Sequence, residues 1–176
     1  MDPRISYDKN DGTMRVSVRF YDGRPRNWVE YLKDKGLSIQ QEAEGLLARF
    51  SKGVTTGTSY GFVVLTTDVA PSSQYSVTTG FLHQEASLKG GHLLKVESTL
   101  VLMDMCAEGL FRDKIPGVLV LMHESVSNRE DWSRVRGRNY RFAVENEGCK
   151  PTLFVVNGEI NVPWPRVGYE FAFEIP

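Results

Sequence analysis

The chain has 176 residues, 41% hydrophobic and 24% charged, with 21 Lys plus Arg against 22 Asp plus Glu. That length suits a single domain, residues 1–176, and the balance excludes a disordered chain and a whole-molecule basic field for nucleic acid. No apolar run reaches the ~18 residues of a membrane span, and the opening residues 1–10 carry no apolar signal core. The expectation is an unprocessed intracellular protein whose residues 1–12 form a flexible N-terminal segment.

The elements follow in chain order. In Thr13–Tyr21, Met14, Val16, Val18 and Phe20 alternate with Arg15, Ser17, Arg19 and Tyr21, which predicts a half-buried strand with two arginines on its wet face. Asp22-Gly23 marks a turn. Asn27 caps a short helix that has Glu30 in its first turn and Gly36 as its stop. A second helix is predicted from the capping pattern Ser38–Gln41, with Ile39, Ala43, Leu46, Leu47 and Phe50 along one face. Residues 53–57 read as a loop. Ser59–Thr67 is apolar on both faces and reads as a central strand.

Gln74–Gln84 and His92–Met103 read as two long strands joined across residues 88–91, and Asp104–Lys114 as a short helix. Val118–Val126 and Asn139–Asn146 read as further strands, with a helical turn at Asn128–Trp132. Asn157-Gly158, between Leu153–Val156 and Glu159–Val162, predicts a hairpin with a type I′ turn, because both residues tolerate positive φ. Tyr169–Ile175 alternates and reads as a final half-exposed strand. About nine short strands with an early helix pair, and no long helices between the later strands, predict an α+β fold on a mostly antiparallel twisted sheet.

No GxSxG, GxGxxG, Walker A, HExxH or EF-hand pattern is present. The histidines are His83, His92 and His123, and their spacing supports no metal site. Cys106 and Cys149 read as small buried hydrophobes in a reducing compartment. Neither metal nor cofactor is expected, and the chain reads as non-enzymatic.

The basic segment 128–142 is the suggestive feature. Arg129, Arg134, Arg136, Arg138 and Arg141 outnumber Glu130 and Asp131, and Trp132, Tyr140 and Phe142 interleave with them. Guanidinium pairs bidentately with phosphate and stacks on rings, which suits RNA or anionic lipid. Arg15, Arg19, Arg24 and Arg26 make a secondary basic patch. Residues 143–176 carry five glutamates against Lys150 and Arg166, so one acidic and one basic segment invite self-association. Trp164, held between Pro163 and Pro165, is an interface candidate whose alternative role is a rigid turn covering the core.

The run Val16-Ser17-Val18-Arg19-Phe20, then Arg24-Pro25, a short helix with Trp28 and Tyr31, and the apolar strand Tyr60–Leu65 resembles the matrix proteins of rhabdoviruses. The resemblance covers roughly residues 14–65. The chain has no lysine-rich arm at its start and no PPxY motif, so the plant-infecting members are the nearer comparison. The resemblance implies a structural protein of the virion and host cytoplasm. Such a protein binds itself, condenses the viral ribonucleoprotein and bridges it to an anionic membrane surface. Two alternatives stand beside it. One is a single-stranded RNA-binding accessory protein of silencing-suppressor or movement type. The other is a small ligand-binding or enzymatic β-rich domain using His83, His92 and Glu97.

Overall fold

The computed structural model describes residues 2–8, 13–19, 25, 27–50, 59–67, 77–115, 117–124, 126–127, 139–146, 150–165 and 167–176. Its strands are β1 (Asp2–Asp8), β2 (Thr13–Arg19), β3 (Ser38–Ile39), β4 (Ser59–Thr66), β5 (Val77–Thr78), β6 (Val118–Leu121), β7 (Val126–Ser127), β8 (Asn139–Glu145), β9 (Thr152–Asn157), β10 (Pro163–Trp164) and β11 (Tyr169–Ile175). Its helices are α1 (Trp28–Asp34), α2 (Gln41–Phe50), α3 (Thr79–Leu88) and α4 (Val96–Ala107). The fold is α+β, as the pattern predicts.

The main sheet runs β1-β2-β4-β11-β6-β8-β9-β3, with β7 also paired to β8. Most neighbours are antiparallel, but β11–β6 and β3–β9 are parallel, so the sheet is mixed. A separate two-stranded ribbon joins β5 to β10. Alternation along each strand feeds two cores, one on each face of the sheet. Met14, Val16, Phe62, Leu119, Phe142 and Ala172 face α1, α2 and α4. Val63, Leu65, Val120, Ala143, Phe171 and Phe173 face α3 and the β5–β10 ribbon.

Local signals account for several elements. Asn27 Oδ1 accepts from the N–H groups of Val29 and Glu30 at 3.0 and 3.4 Å and opens α1. Gly36, at φ +103, stops it, a conformation glycine adopts without a Cβ clash. Ala43, Leu46 and Leu47 are the buried face of α2, whereas Ile39 belongs to β3. Thr78 Oγ1 accepts from Phe81 N–H at 3.3 Å and caps α3.

Residues 2–8 form β1 and pair with β2 along seven registered positions. Four expectations are corrected. The two long strands expected over 74–103 are in large part α3 and α4. Helix α4 is buried continuously from Ser98 to Ala107. A helix buried all round has no polar face to reveal its 3.6-residue period, so its apolar run reads like a strand. The predicted short helix at 104–114 starts inside α4, and turns follow from Glu108.

The Asn157-Gly158 hairpin is absent, since neither residue has positive φ. Gly158 N–H donates instead to Asn139 O at 2.7 Å, and residues 160–162 tie to the start of α3 through Ile160 O and Val162 O. Finally, β11 is central rather than half-exposed. It lies between β4 and β6, with Phe171–Glu174 all buried. The expected loop at 53–57 and the helical turn at 128–132 lie outside the described residues.

Candidate functional site

Among the described residues three polar clusters lie within the fold. The first is at the start of α4. Its N-cap residue Lys95 offers no side-chain cap. A carboxylate from β11 takes that place: Glu174 Oε2 accepts from Lys95 N–H at 3.0 Å and from Ser98 Oγ at 2.5 Å, and Oε1 lies 3.2 Å from Lys95 Nζ. A negative charge here satisfies open helix N–H groups and complements the helix dipole. Desolvation works against this charge. The hydrogen bonds from Ser98 and Lys95 outweigh it and hold Glu174 below the usual carboxylate range.

His92 Nε2 is 3.8 Å from Glu174 Oε1, at the exposed rim. A serine, a carboxylate, a lysine and a histidine thus meet in one place. Their arrangement is nevertheless that of a tertiary helix cap. Ser98 is fully buried. A nucleophile needs an approach path and a base matched to the working pH, and a carboxylate held below its ordinary range is a poor base.

The second cluster stitches β8 to its neighbours. His123 is buried, its Nδ1 lies 2.6 Å from Glu124 O, and its Nε2 accepts from Phe142 N–H at 3.0 Å. These partners require the neutral imidazole with its proton on Nδ1. The ring therefore supplies an acceptor in the sheet between β6 and β7. Burial lowers the His123 pKa to about 4. The hydrogen bond to Glu124 O opposes the shift and the nearby Arg141 charge adds to it.

Arg141 is itself buried, contrary to the expectation that it joins an exposed anion-binding stripe. Its Nε donates to His123 O at 3.0 Å and its Nη1 to Gly158 O at 2.6 Å. A guanidinium committed to two backbone carbonyls inside the protein has little left for a phosphate. His83, on α3, stacks edge-on against Phe173 with ring centres 5.7 Å apart. Burial and Arg141 lower its pKa as well. His92 stands apart at Glu174, and among the described residues no group of three or more His, Cys, Asp or Glu could hold a metal ion.

The third cluster fastens α1 to α4. Asp104 is buried, with Lys35 Nζ at 3.9 Å, and the same ammonium meets Glu108 at 2.6 Å. Partial burial disfavours the Lys35 charge, but Glu108 and Asp104 overcome it and raise the pKa. Cys106 is buried beside them, and burial together with Asp104 pushes its thiol well above the usual range. It is buried in the core, as expected. Cys149 lies outside the described residues.

Trp164 is no interface anchor. Its indole is 5% exposed, donates from Nε1 to Thr79 Oγ1 at 2.9 Å and packs edge-on to Phe171 at 5.1 Å between ring centres. It lies in β10, paired with Val77 of β5, and its ring belongs to the core on that face.

Arg15 and Arg19 do lie on the exposed face of β2, either side of exposed Ser17. In register, Ser6 pairs with Arg15, Arg4 with Ser17 and Asp2 with Arg19. Arg24, Arg26, Arg129, Arg134, Arg136 and Arg138 lie outside the described residues.

Sequence reasoning missed the Glu174 and His123 networks. Glu174 alternates with phenylalanines and reads as solvent-facing, and only the pairing of His92 with Glu174 reveals what covers it. Among the described residues no helix is long and apolar enough to cross a membrane. The chain matches no protein-family model, no curated protein and no solved structure.

Proposed function

We propose that the chain is a non-enzymatic assembly protein of matrix type, which binds copies of itself and meets an anionic surface. On this reading its further partners are a ribonucleoprotein and anionic lipid, and its place is the virion and the host cytoplasm. The observation that carries the reading is the β1 end of the sheet. There an edge strand of seven residues adjoins β2, which turns Arg15, Ser17 and Arg19 to solvent. An edge strand offers backbone hydrogen bonds to another chain, and exposed guanidinium groups attract phosphate. The buried Ser98, His123 and Arg141 support it indirectly, because each is bonded into the fold rather than turned toward a substrate.

Size exclusion coupled to light scattering tests this reading at about 50 and about 500 mM salt, which differ several-fold in screening length. The expected result is concentration-dependent oligomers, together with flotation on phosphatidylserine vesicles that weakens at high salt. The Arg15→Glu/Arg19→Glu variant should fold normally and lose flotation. A protein that stays monomeric at both salts and ignores the vesicles would overturn the reading. A monomer that shifts only with single-stranded RNA would replace it with that of an RNA-binding accessory protein.

A further inference from the structure

We propose that α3 is an acid-opened strap over one face of the main sheet, and that His83 is the group that releases it. The inference does not depend on the assembly reading above. It comes from how α3 is fastened and from what its histidine meets.

The helix is pinned at both ends. At its start Thr79 N–H donates to Val162 O at 3.2 Å and Gly80 N–H to Ile160 O at 2.9 Å. Thr79 Oγ1 accepts from the Trp164 indole at 2.9 Å. Beyond its end Gly91 N–H reaches back to Ala86 O at 2.7 Å, and His92 exchanges two backbone hydrogen bonds with Glu174 of β11 at 2.8 and 2.9 Å. Between these fastenings Leu82 and Ala86 are the buried apolar contacts, while Gln84, Ser87 and Leu88 are exposed. A stretch with few buried apolar side chains opens locally at a lower cost than the whole fold.

His83 sits in this middle stretch. Its ring meets Phe173 edge-on, with ring centres 5.7 Å apart and planes at 88°. Nε2 is sealed from solvent and has no hydrogen-bond partner among the described residues. The face under α3 is apolar: Val63 and Leu65 come from β4, Phe171 and Phe173 from β11, and Val120 from β6. The ribbon adds Val77 and Trp164, which carry no charge either.

The charge comes from β8. Arg141 stands two residues before Ala143 and opposite Val156, both of which belong to this face, and its guanidinium acts on the His83 ring. The other titratable groups nearby are turned elsewhere. Glu85 is two residues along α3, a spacing that does not bring side chains together. Glu174 follows Phe173 but bonds to Lys95 and Ser98 of α4 on the opposite side of the sheet. His123 is buried with Glu124 O and Phe142 N–H as its partners.

A neutral imidazole fits this place, because it carries no charge and can leave a lone pair at Nε2. Protonation puts an N–H at the sealed Nε2 with no acceptor, and a second positive charge near Arg141. Both penalties vanish when the middle of α3 lifts and the ring reaches water. The proton therefore binds the open form more tightly, and acid shifts the population toward it. In the open form the ring takes up its proton near the ordinary ~6.5, so opening is constant above that pH and grows below it. One proton limits the gain to about 25-fold between pH ~7 and ~5. What opens is the apolar face of β4 and β11 that Leu82 and Ala86 cover.

The experiment is native-state hydrogen exchange at pH about 7, 6 and 5, with rates corrected for the intrinsic pH dependence. In wild type, opening of residues 79–88 should rise about fivefold or more on acidification, and β6 and β11 should rise less. His83→Gln, which cannot titrate, should abolish the extra rise in α3, and His123→Gln should keep it. His83→Leu preserves an apolar contact with Phe173 and guards against a glutamine that lifts the helix by itself. It should hold α3 closed at every pH. An α3 that exchanges equally at pH 7 and 5, or that accelerates only in step with β6 and β11, would overturn the proposal. So would an acid response that survives in both His83 variants.

Discussion

Mild acid should weaken this fold through His123. The ring is buried, its Nε2 is the acceptor for Phe142 N–H, and its Nδ1 faces Glu124 O. Protonation would set a donor against a donor and place a second positive charge beside Arg141. The pKa accordingly falls from the ordinary 6.5 to about 4 in the folded chain, chiefly through desolvation. In the unfolded chain the imidazole takes up its proton near 6.5. Between the two values the unfolded state binds more protons, so stability is full above pH ~6.5 and declines as pH falls toward ~4. At about 1.4 kcal/mol per pH unit, the whole window is worth about 3 kcal/mol, of which about 2 is lost by pH ~5.

His83 also has a lowered pKa from burial and from Arg141, so it contributes with the same sign. Urea denaturation of wild type, His83→Gln and His123→Gln at pH values from about 7 to about 5 separates them, because carboxylates titrate mainly below that range. Glutamine at 123 keeps a side-chain carbonyl that can accept from Phe142 N–H and cannot titrate. Its stability should change by about 2 kcal/mol less than that of wild type over the window. A wild-type stability that is flat from pH 7 to 5, or a His123→Gln variant with the wild-type slope, would refute the reasoning.

Other consequences follow from the same contacts. Glu174→Gln removes the charge that caps α4 and should cost about 2 kcal/mol near neutral pH. Because the folded Glu174 pKa lies below its ordinary value, that difference is present above pH ~4.5 and vanishes on further acidification, which a urea series shows. Gly117→Ala would put its Cβ 2.4 Å from Gly168 O, a backbone atom at the start of β11. Parting β6 from β11 should cost about 3 kcal/mol, or roughly 6–12 °C in Tm, measured by circular dichroism. Trp164→Phe should cost about 1 kcal/mol by leaving Thr79 Oγ1 without its indole donor, and Trp164→Ala about 3–5 kcal/mol; equal, near-zero losses in both would place the ring outside the core.

What the sequence discloses depends on whether one face of an element is wet. Strand β2 was legible because Arg15, Ser17 and Arg19 alternate with buried Met14, Val16 and Val18. Helix α1 was legible from its cap at Asn27 and its stop at Gly36. Helix α4 was not, because burial on all sides removes the polar face that reveals a helical period. Strand β11 misled in the opposite sense. Its glutamates imitate a solvent face, yet α4, through Lys95 and Ser98, covers Glu174. The Asn-Gly turn signal lost to tertiary context, since Gly158 is held by Asn139 N-terminal to it in β8 and by Arg141. Local propensity cannot report such partners, which come from elsewhere in the chain.

The same contrast separates structural from functional polarity. The groups that look chemical in the sequence join segments far apart along the chain: Ser98 to Glu174, Thr79 to Trp164, His123 to Phe142. Each sits where a mixed sheet with non-local pairing leaves backbone or side-chain polar atoms to satisfy, and burial without those partners would cost more than the bonds return. Their chemistry is spent within the fold. At the β1–β2 end Arg15 and Arg19 are exposed, and among the described residues β1 is the end strand of the sheet. On the proposed reading, variants of the interior polar groups test stability, and variants at that end of the sheet test function. A charge change at Arg15 should leave Tm within about 2 °C while altering surface binding, whereas a change at Glu174 should do the opposite.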